Sequence, residues 1–229
     1  MSSATPKIHL YLAPGACSVA VHILLLEAGA EFTFTDLSFQ KGFPEEFFKT
    51  NPKGRVPVLV LTTNGKDEII TETPAIITAI SQLFPGSSFL GRTPLDIVRS
   101  YEWMNWISGT VHHGGFGMLF RPFRWTTSED EKVLEDVKSK AREVIRACFE
   151  DVEKKLEGRT WAVGEGEGEF GAVDAYLFPL WRWGNQQGFG MEENFPRYTA
   201  LFKRVLEREA VKKALDVEST DAFGKIPGK

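Results

Sequence analysis

Cysteine is scarce: Cys17 and Cys148 are the only two in 229 residues. Two thiols are too few for a disulfide framework or a structural zinc site, so no metal is expected and each thiol is judged by its own surroundings. An excess of one charge is also missing. The 27 Lys and Arg against 31 Asp and Glu leave a formal charge of −4, a small surplus in both halves that gives nucleic acid no basic footprint. Long apolar runs are absent, none approaching the roughly 20 residues that span a bilayer. Met1 to Pro6 is polar, without the basic start and apolar run of a signal peptide. A cytoplasmic protein with no nucleic-acid or membrane partner is expected, large enough for two modest domains.

Proline and glycine are present where they divide the chain. Ile8 to Leu12 alternates apolar and polar side chains and is read as a strand, ended by Ala13-Pro14-Gly15-Ala16. Cys17 to Ala28 has neither breaker, is rich in apolar residues and is followed by Gly29, the signature of a helix with a left-handed stop. Phe32 to Asp36 alternates again, completing a β-α-β unit whose strands must be parallel. A short helix is expected near Pro44 to Lys49. Val58 to Leu61 and Glu68 to Ile70 flank Asn64-Gly65, the strongest short hairpin signal. Thr71-Glu72-Thr73-Pro74 then opens a helix over Ala75 to Leu83, with proline where a helix start tolerates it. The order β-α-β-α-β-β-α is thioredoxin-like.

Phe84-Pro85-Gly86-Ser87-Ser88 through Gly91-Arg92-Thr93-Pro94 has the composition of a domain boundary. Beyond it the periodicity is helical: Tyr101 to Val111, Ser128 to Leu156, Val173 to Trp183 and Arg197 to Leu215, with no convincing strand. The expected fold class is α+β, with a thioredoxin-like domain over 6–85 followed by an all-α domain over 94–229. The acidic glycine run from Gly164 to Glu169 lacks a P-loop lysine and would repel phosphate, so it is read as a connection.

Three motifs then fall in register. Pro14-Gly15-Ala16-Cys17-Ser18 opens a helix, Asn51-Pro52-Lys53-Gly54-Arg55-Val56-Pro57 precedes a hairpin, and Thr71-Glu72-Thr73-Pro74-Ala75-Ile76 opens a second helix. In order and spacing they resemble the glutathione site of glutathione S-transferases. The likeness continues through Glu102 to Trp106 with His112, through Phe170 to Leu177 around Asp174, and from Phe195 to Leu215, so it covers nearly the whole chain. Its detail resembles the bacterial beta class and admits a bacterial or fungal tailoring member. Two departures stand out. Gly171 occupies the position of the family's serine or threonine helix cap, which weakens the cap by a few tenths of a kcal/mol, and the acidic glycine insert is unusual.

The resemblance implies a role for each motif. Glu72 and Thr73 would hold the γ-glutamyl end of glutathione, the helix N-terminus taking the carboxylate and Glu72 the ammonium; by itself Glu72 is also an ordinary acid at a helix start. Val56-Pro57 resembles a cis-proline turn that offers the Val56 backbone to the cysteinyl unit. Lys41 and Arg55, with Lys53 a weaker candidate, suit the glycyl carboxylate. Cys17, where a loop becomes a helix, is placed to ionise readily and to face the glutathione sulfur. The Ser18 hydroxyl is the rival for that role, and His112 corresponds to the beta-class histidine near the thiol. Cys148, among Ile145, Phe149 and Val152, reads as core.

A large apolar region, Trp103, Trp106, Phe116, Phe120, Phe123 and Trp125, would line the cleft for a hydrophobic electrophile, although aromatic residues at helical spacing serve a core as readily. Phe123 and Trp125 are the better candidates, with Arg121 and Arg124 available for an acidic group. The implied function is a cytoplasmic, homodimeric transferase in which glutathione attacks the electrophile, with Asn105 near the partner's glutathione site. The rivals are glutathione-dependent cis-trans isomerisation of a conjugated alkene, disulfide exchange through Cys17, and a non-catalytic scaffold of the same fold.

Overall fold

The computed structural model describes residues 5–37, 42–164 and 168–221. Its first part is a four-stranded mixed sheet in the order β2-β1-β3-β4, built from β1 (Lys7–Leu12), β2 (Phe32–Asp36), β3 (Val58–Thr63) and β4 (Lys66–Thr71). β1 runs parallel to β2 and antiparallel to β3, and β3 pairs antiparallel with β4. The alternation in β1 buries Ile8, Leu10 and Leu12 on one face. Asn64 and Gly65 both take positive φ, 53° and 75°, as a two-residue turn with both central residues left-handed requires.

Three helices accompany the sheet: α1 (Val19–Glu27), α2 (Glu45–Thr50) and α3 (Thr73–Leu83). Every residue of α1 from Val19 to Leu25 is buried, as its nearly uninterrupted apolar sequence demands. It lies between the sheet and the helical part, in contact with α3 and with the later helices Ala172–Gln186 and Glu209–Val217.

The helical part begins at α4 (Pro94–Trp106). Thr93 Oγ1 accepts from Asp96 N at 3.1 Å, and Asp96 Oδ2 accepts from Thr93 N at 3.0 Å, a reciprocal cap that fixes its start. The helix runs on as an eleven-residue π-helix (Ile107–Gly117) and a last turn, α5 (Met118–Phe120). The sequence pattern ended this helix at Val111 because three glycines, Gly114, Gly115 and Gly117, follow within the π-helical segment's span. Gly115 is there for contact: a Cβ would come within 2.8 Å of Ile145 Cγ1. Next come α6 (Glu131–Lys155), α7 (Ala172–Gln186), α8 (Met191–Asn194), α9 (Pro196–Leu206) and α10 (Glu209–Val217).

The single helix expected over Arg197 to Leu215 is therefore two. Arg208 is extended, with ψ of 136°. Its guanidinium forks onto Glu27 at 2.5 and 2.7 Å and covers the Phe170 ring at 4.1 Å. This bidentate tie to α1 breaks the helix where no proline or glycine marks the sequence.

Gly171 also has a reason. Asp174 carries the helix start alone, accepting from Gly171 N at 2.8 Å and Ala162 N at 2.9 Å, while a Cβ on Gly171 would meet the Phe89 carbonyl at 2.8 Å. One apolar core joins Leu10, Ile23 and Ile77 to Met104, Phe149 and Trp181 and includes Cys148, and a smaller cluster around Ala13, Phe47 and Val58 underlies the other sheet face. The arrangement is the expected α+β one, a thioredoxin-like sheet unit followed by helices. Among the described residues, no helix is long and apolar enough to cross a membrane.

Candidate active site

A cavity of about 620 Å³ opens between the two parts. The sheet-side wall is made by the loop before α1, the turn before β3 and the start of α3. In that first loop the Ser18 hydroxyl accepts from Ala13 N at 3.1 Å and donates to Ala13 O at 3.2 Å. Ser18 is fully buried and does not line the cavity; its hydroxyl closes the loop. The helical part pins the same loop from outside: Trp183 Nε1 donates to Gly15 O at 2.9 Å, and Gly15 N donates to Glu218 Oε2 at 3.3 Å. The other Glu218 oxygen is 3.0 Å from His22 Nδ1.

Cys17 lines the cavity but is only 5% exposed. Its thiol donates to Val56 O at 3.6 Å and shares a hydrogen bond with the Thr73 side chain. Burial pushes the thiol up to about 12, outweighing the hydrogen bonds that favour the anion. The ready ionisation expected from a helix start is thus overturned: α1 begins two residues later, at Val19, and desolvation wins. Cys17 is a neutral S–H donor at physiological pH.

The Val56–Pro57 peptide is cis, and Asn51, buried, braces the turn by donating to Arg55 O at 2.7 Å. Arg55, Val56 and Pro57 line the cavity, as do Glu72 and Thr73. Glu72 has φ of 71° and ψ of 120°, a conformation costing about 1–3 kcal/mol in a non-glycine residue, and it aims the α3 N-terminus at the cavity. Its carboxylate meets Lys53 Nζ at 2.6 Å, and Lys53 also donates to Thr71 Oγ1 at 3.0 Å. Both side chains of the pair are more than half exposed, so the contact adds little stability and leaves Glu72 available. Lys41 lies outside the described residues.

The helical wall contributes His112, Phe120, Trp125 and Trp183. His112 packs on Trp183 with ring centroids 5.2 Å apart. Burial, followed by the charges of Arg55, His113 and Arg121, holds it down to about 4, so it is a neutral imidazole at pH 7 and carries no proton to spare. The other aromatic candidates divide. Phe116 is fully buried against Phe149 and Trp183; it supports the wall from behind. Phe123 is exposed and outside the cavity, beneath Arg124. Trp103 and Trp106 pack on each other. Asn105 is exposed on α4 and does not line the cavity.

Several lining residues escaped the sequence reading, among them Ser108, His113, Trp183 and Tyr176. Tyr176, on α7 and completely buried, hydrogen-bonds through its hydroxyl to the side chains of Thr73 and Ser108. Burial, and then the neighbouring Cys17, push the phenol up, so it stays protonated. A tyrosine in the otherwise apolar run Ala175 to Leu180 was the available signal, because a buried hydroxyl must find a partner. Tyr176, Thr73 and Cys17 form one protonated polar seam across the domain junction, able to donate hydrogen bonds toward an anionic sulfur. No cluster of potential metal ligands occurs among the described residues.

Residues 6–82 match the family described as Glutathione S-transferase, N-terminal domain, and residues 111–209 match Glutathione S-transferase, C-terminal domain. Glutathione S-transferase GstA of Escherichia coli O157:H7 is 32% identical over 215 residues, 91% of this chain and 98% of that protein. Among solved structures, a glutathione transferase homolog from Sulfitobacter with bound glutathione superposes with a TM-score of 0.83 at 26% identity, over 92% of this chain and 98% of the other. The bacterial beta class enzyme of Sphingomonas chungbukensis superposes with a TM-score of 0.74 at 27% identity, again over 92% and 98%.

Proposed function

Because the chain belongs to the glutathione S-transferase family, we propose that its cavity binds glutathione along the sheet-side wall, holds the thiol as thiolate, and presents it to a hydrophobic electrophile on the helical wall. The observation that carries this reading is the meeting of Cys17, the cis Val56–Pro57 turn and the N-terminus of α3 in one cavity. In it, residues 6–85 form the glutathione-binding unit and 94–229 the cleft-bearing unit.

Each part of glutathione then has a partner. The α3 N-terminus takes the γ-glutamyl carboxylate through backbone N–H groups and the helix dipole, and Glu72 takes the ammonium. The Val56 backbone pairs with the cysteinyl unit. Arg55, with Lys41, takes the glycyl carboxylate. The sulfur sits against Cys17, whose S–H turns from Val56 O toward the ligand and, with the Thr73 and Tyr176 hydroxyls behind it, stabilises the thiolate. This lowers the glutathione thiol pKa and places the nucleophile, the two contributions this chain makes to the reaction. His112, being neutral, offers one N–H rather than a proton. Phe120 and Trp125 supply apolar contact for the electrophile, backed by Phe116, while exposed Phe123 stands at the margin.

Disulfide exchange through Cys17 is disfavoured by the burial that keeps its thiol protonated. A homodimer and a cytoplasmic location belong to the same reading, with Asn105 reaching toward the partner's glutathione. Exposed Phe48 and Ile69 on the sheet unit and Leu95 and Val98 on α4 offer the apolar surfaces for such a dimer. Calorimetric titration with glutathione, followed by conjugation of an activated aryl chloride, tests the proposal: binding and conjugate formation are expected, and absence of binding would return the chain to the scaffold reading. Product analysis under limiting glutathione separates conjugation from isomerisation.

A further inference from the structure

The cavity is electropositive in a way that glutathione alone does not require. Arg55, Arg121 and Arg124 line it, and among the described residues the one lining carboxylate, Glu72, is already against Lys53. Among the described residues, none of these three guanidiniums has a hydrogen-bond or ion-pair partner. Elsewhere the arginines are engaged: Arg92 on Glu169, Arg99 on Glu102, Arg197 on Glu157 and Arg208 on Glu27. Arg142, Arg159, Arg182 and Arg204 are held on backbone carbonyls, while Arg146 has only the Phe189 ring beneath it, as Arg124 has Phe123.

Arg121 and Arg124 bracket the short turn Pro122–Arg124 between α5 and α6. Arg121 is half-buried, and its burial together with the charges of Arg124 and Arg55 disfavours the cation. Like charges gathered without a counter-ion are unfavourable until an anion joins them. Beside them the Phe120 and Trp125 side chains and Trp183 form an aromatic shelf, the combination of apolar surface and a few convergent polar groups typical of a small-molecule site.

We propose that Arg121 and Arg124 form an anion subsite on the helical wall, selecting electrophiles that carry a carboxylate on an aromatic or conjugated frame. The inference rests on the transferase reading above, in which Arg55 serves the glycyl carboxylate and leaves this pair for the second substrate. The carboxylate lies between the two guanidiniums and the frame lies on the aromatic shelf, which turns the electrophilic carbon toward the glutathione sulfur.

A matched pair of probes tests it: a chlorodinitrobenzoate and its methyl ester. In either case the thiolate sulfur forms a bond to the ring carbon, the carbon–chlorine bond breaks, chloride leaves with its electron pair, and the thiol proton passes to solvent. After correction for the uncatalysed rates, kcat/KM for the acid is expected to exceed that for the ester by about tenfold, the scale of charge-assisted hydrogen bonds. The ratio should shrink as salt is raised. Arg121→Gln and Arg124→Gln should each lower the ratio, the double variant should bring it near one, and Arg121→Lys should restore part of it.

Binding of unreactive dinitrobenzoate and its ester, measured by calorimetry with and without S-methylglutathione, reads the subsite independently of turnover and of each variant's catalytic competence. A wild-type binding ratio near one, or a ratio that survives the double substitution, overturns the proposal. So does a double variant that loses S-methylglutathione affinity while keeping the ratio, since the pair would then serve the glycyl carboxylate. Failure to conjugate either probe, with the acid still bound more tightly, sinks the transferase reading and leaves the subsite standing.

Discussion

The two walls of the cavity are built on opposite plans. On the sheet side the loop and turn are buried and partnered: Ser18 closes its loop, Asn51 braces its turn, and Thr73 shares hydrogen bonds with Cys17 and with Tyr176 of α7, while Arg55 and Glu72 are exposed. On the helical side Tyr176 and Trp183 are buried, but Phe120 and Trp125 stand open to solvent beside Arg121 and Arg124, whose charges are unpaired among the described residues. A wall that recognises one invariant tripeptide gains from fixed backbone groups, because preorganisation removes the ordering cost of binding. A wall that receives the variable partner can be made of side chains on a loop, where change leaves the scaffold intact.

The comparison can be broken most severely at the clamp behind the fixed wall. Glu218→Ala removes the acceptor of Gly15 N and His22 Nδ1 and the acidic neighbour of buried Arg182. A loss of about 3–5 kcal/mol is expected from breaking such a buried set, read as a lower urea midpoint. The same truncation at Arg124 on the open wall should leave the midpoint almost unmoved.

Glu72→Ala tests the wall's ligand rather than its stability. Because the carboxylate is more than half exposed, glutathione affinity should fall by about 1.5–3 kcal/mol, the range for a charged hydrogen bond, in a calorimetric titration. Unchanged affinity would remove Glu72 from the site.

Gly171→Ser sharpens the comparison at the base of the helical part. Cap preference alone predicts a gain in stability. Contact with the Phe89 carbonyl predicts a loss of about 1–3 kcal/mol, typical of overpacking, and thermal or urea unfolding decides the sign.

A pH dependence follows from His112. Its folded-state pKa, about 4, lies below its ordinary 6.5, so the native protein binds fewer protons than the unfolded chain between those values. Its contribution to stability is therefore present above pH 6.5 and lost as pH falls toward 4. NMR titration should find the ring neutral through pH 6, and the pH-rate profile should have no step near 6.5 that His112→Asn removes.

Local chemistry was readable in advance and distant packing was not. The alternation of Ile8 to Leu12, the Asn64-Gly65 turn and the proline after Thr73 act within a few residues, and each appears in the strand, hairpin and helix start observed. The three motifs pointed to Arg55 to Pro57 and to Glu72 and Thr73, which meet in one cavity. The protonation of Cys17 was hidden because it is set by burial in the folded chain, which no local stretch of sequence shows and which outweighs the hydrogen bond from distant Thr73. The break at Arg208 depends on Glu27, 181 residues away. Tyr176 and Gly171 likewise acquire their meaning only from Thr73 and Phe89. The aromatic candidates split for the same reason, since spacing alone does not tell Phe116 in the core from Phe120 on the cavity.

The central claim is that the fixed wall holds glutathione as a thiolate against Cys17. Ultraviolet thiolate absorbance of the glutathione complex, followed across pH, reads it directly, because Cys17 itself stays protonated up to about 12 and contributes nothing near neutrality. The account predicts a bound-thiol pKa below that of free glutathione, raised by Cys17→Ala and unmoved by Thr110→Ala on the exposed surface of the π-helix. A bound-thiol pKa equal to that of free glutathione, or one that Cys17→Ala leaves where it was, would contradict it.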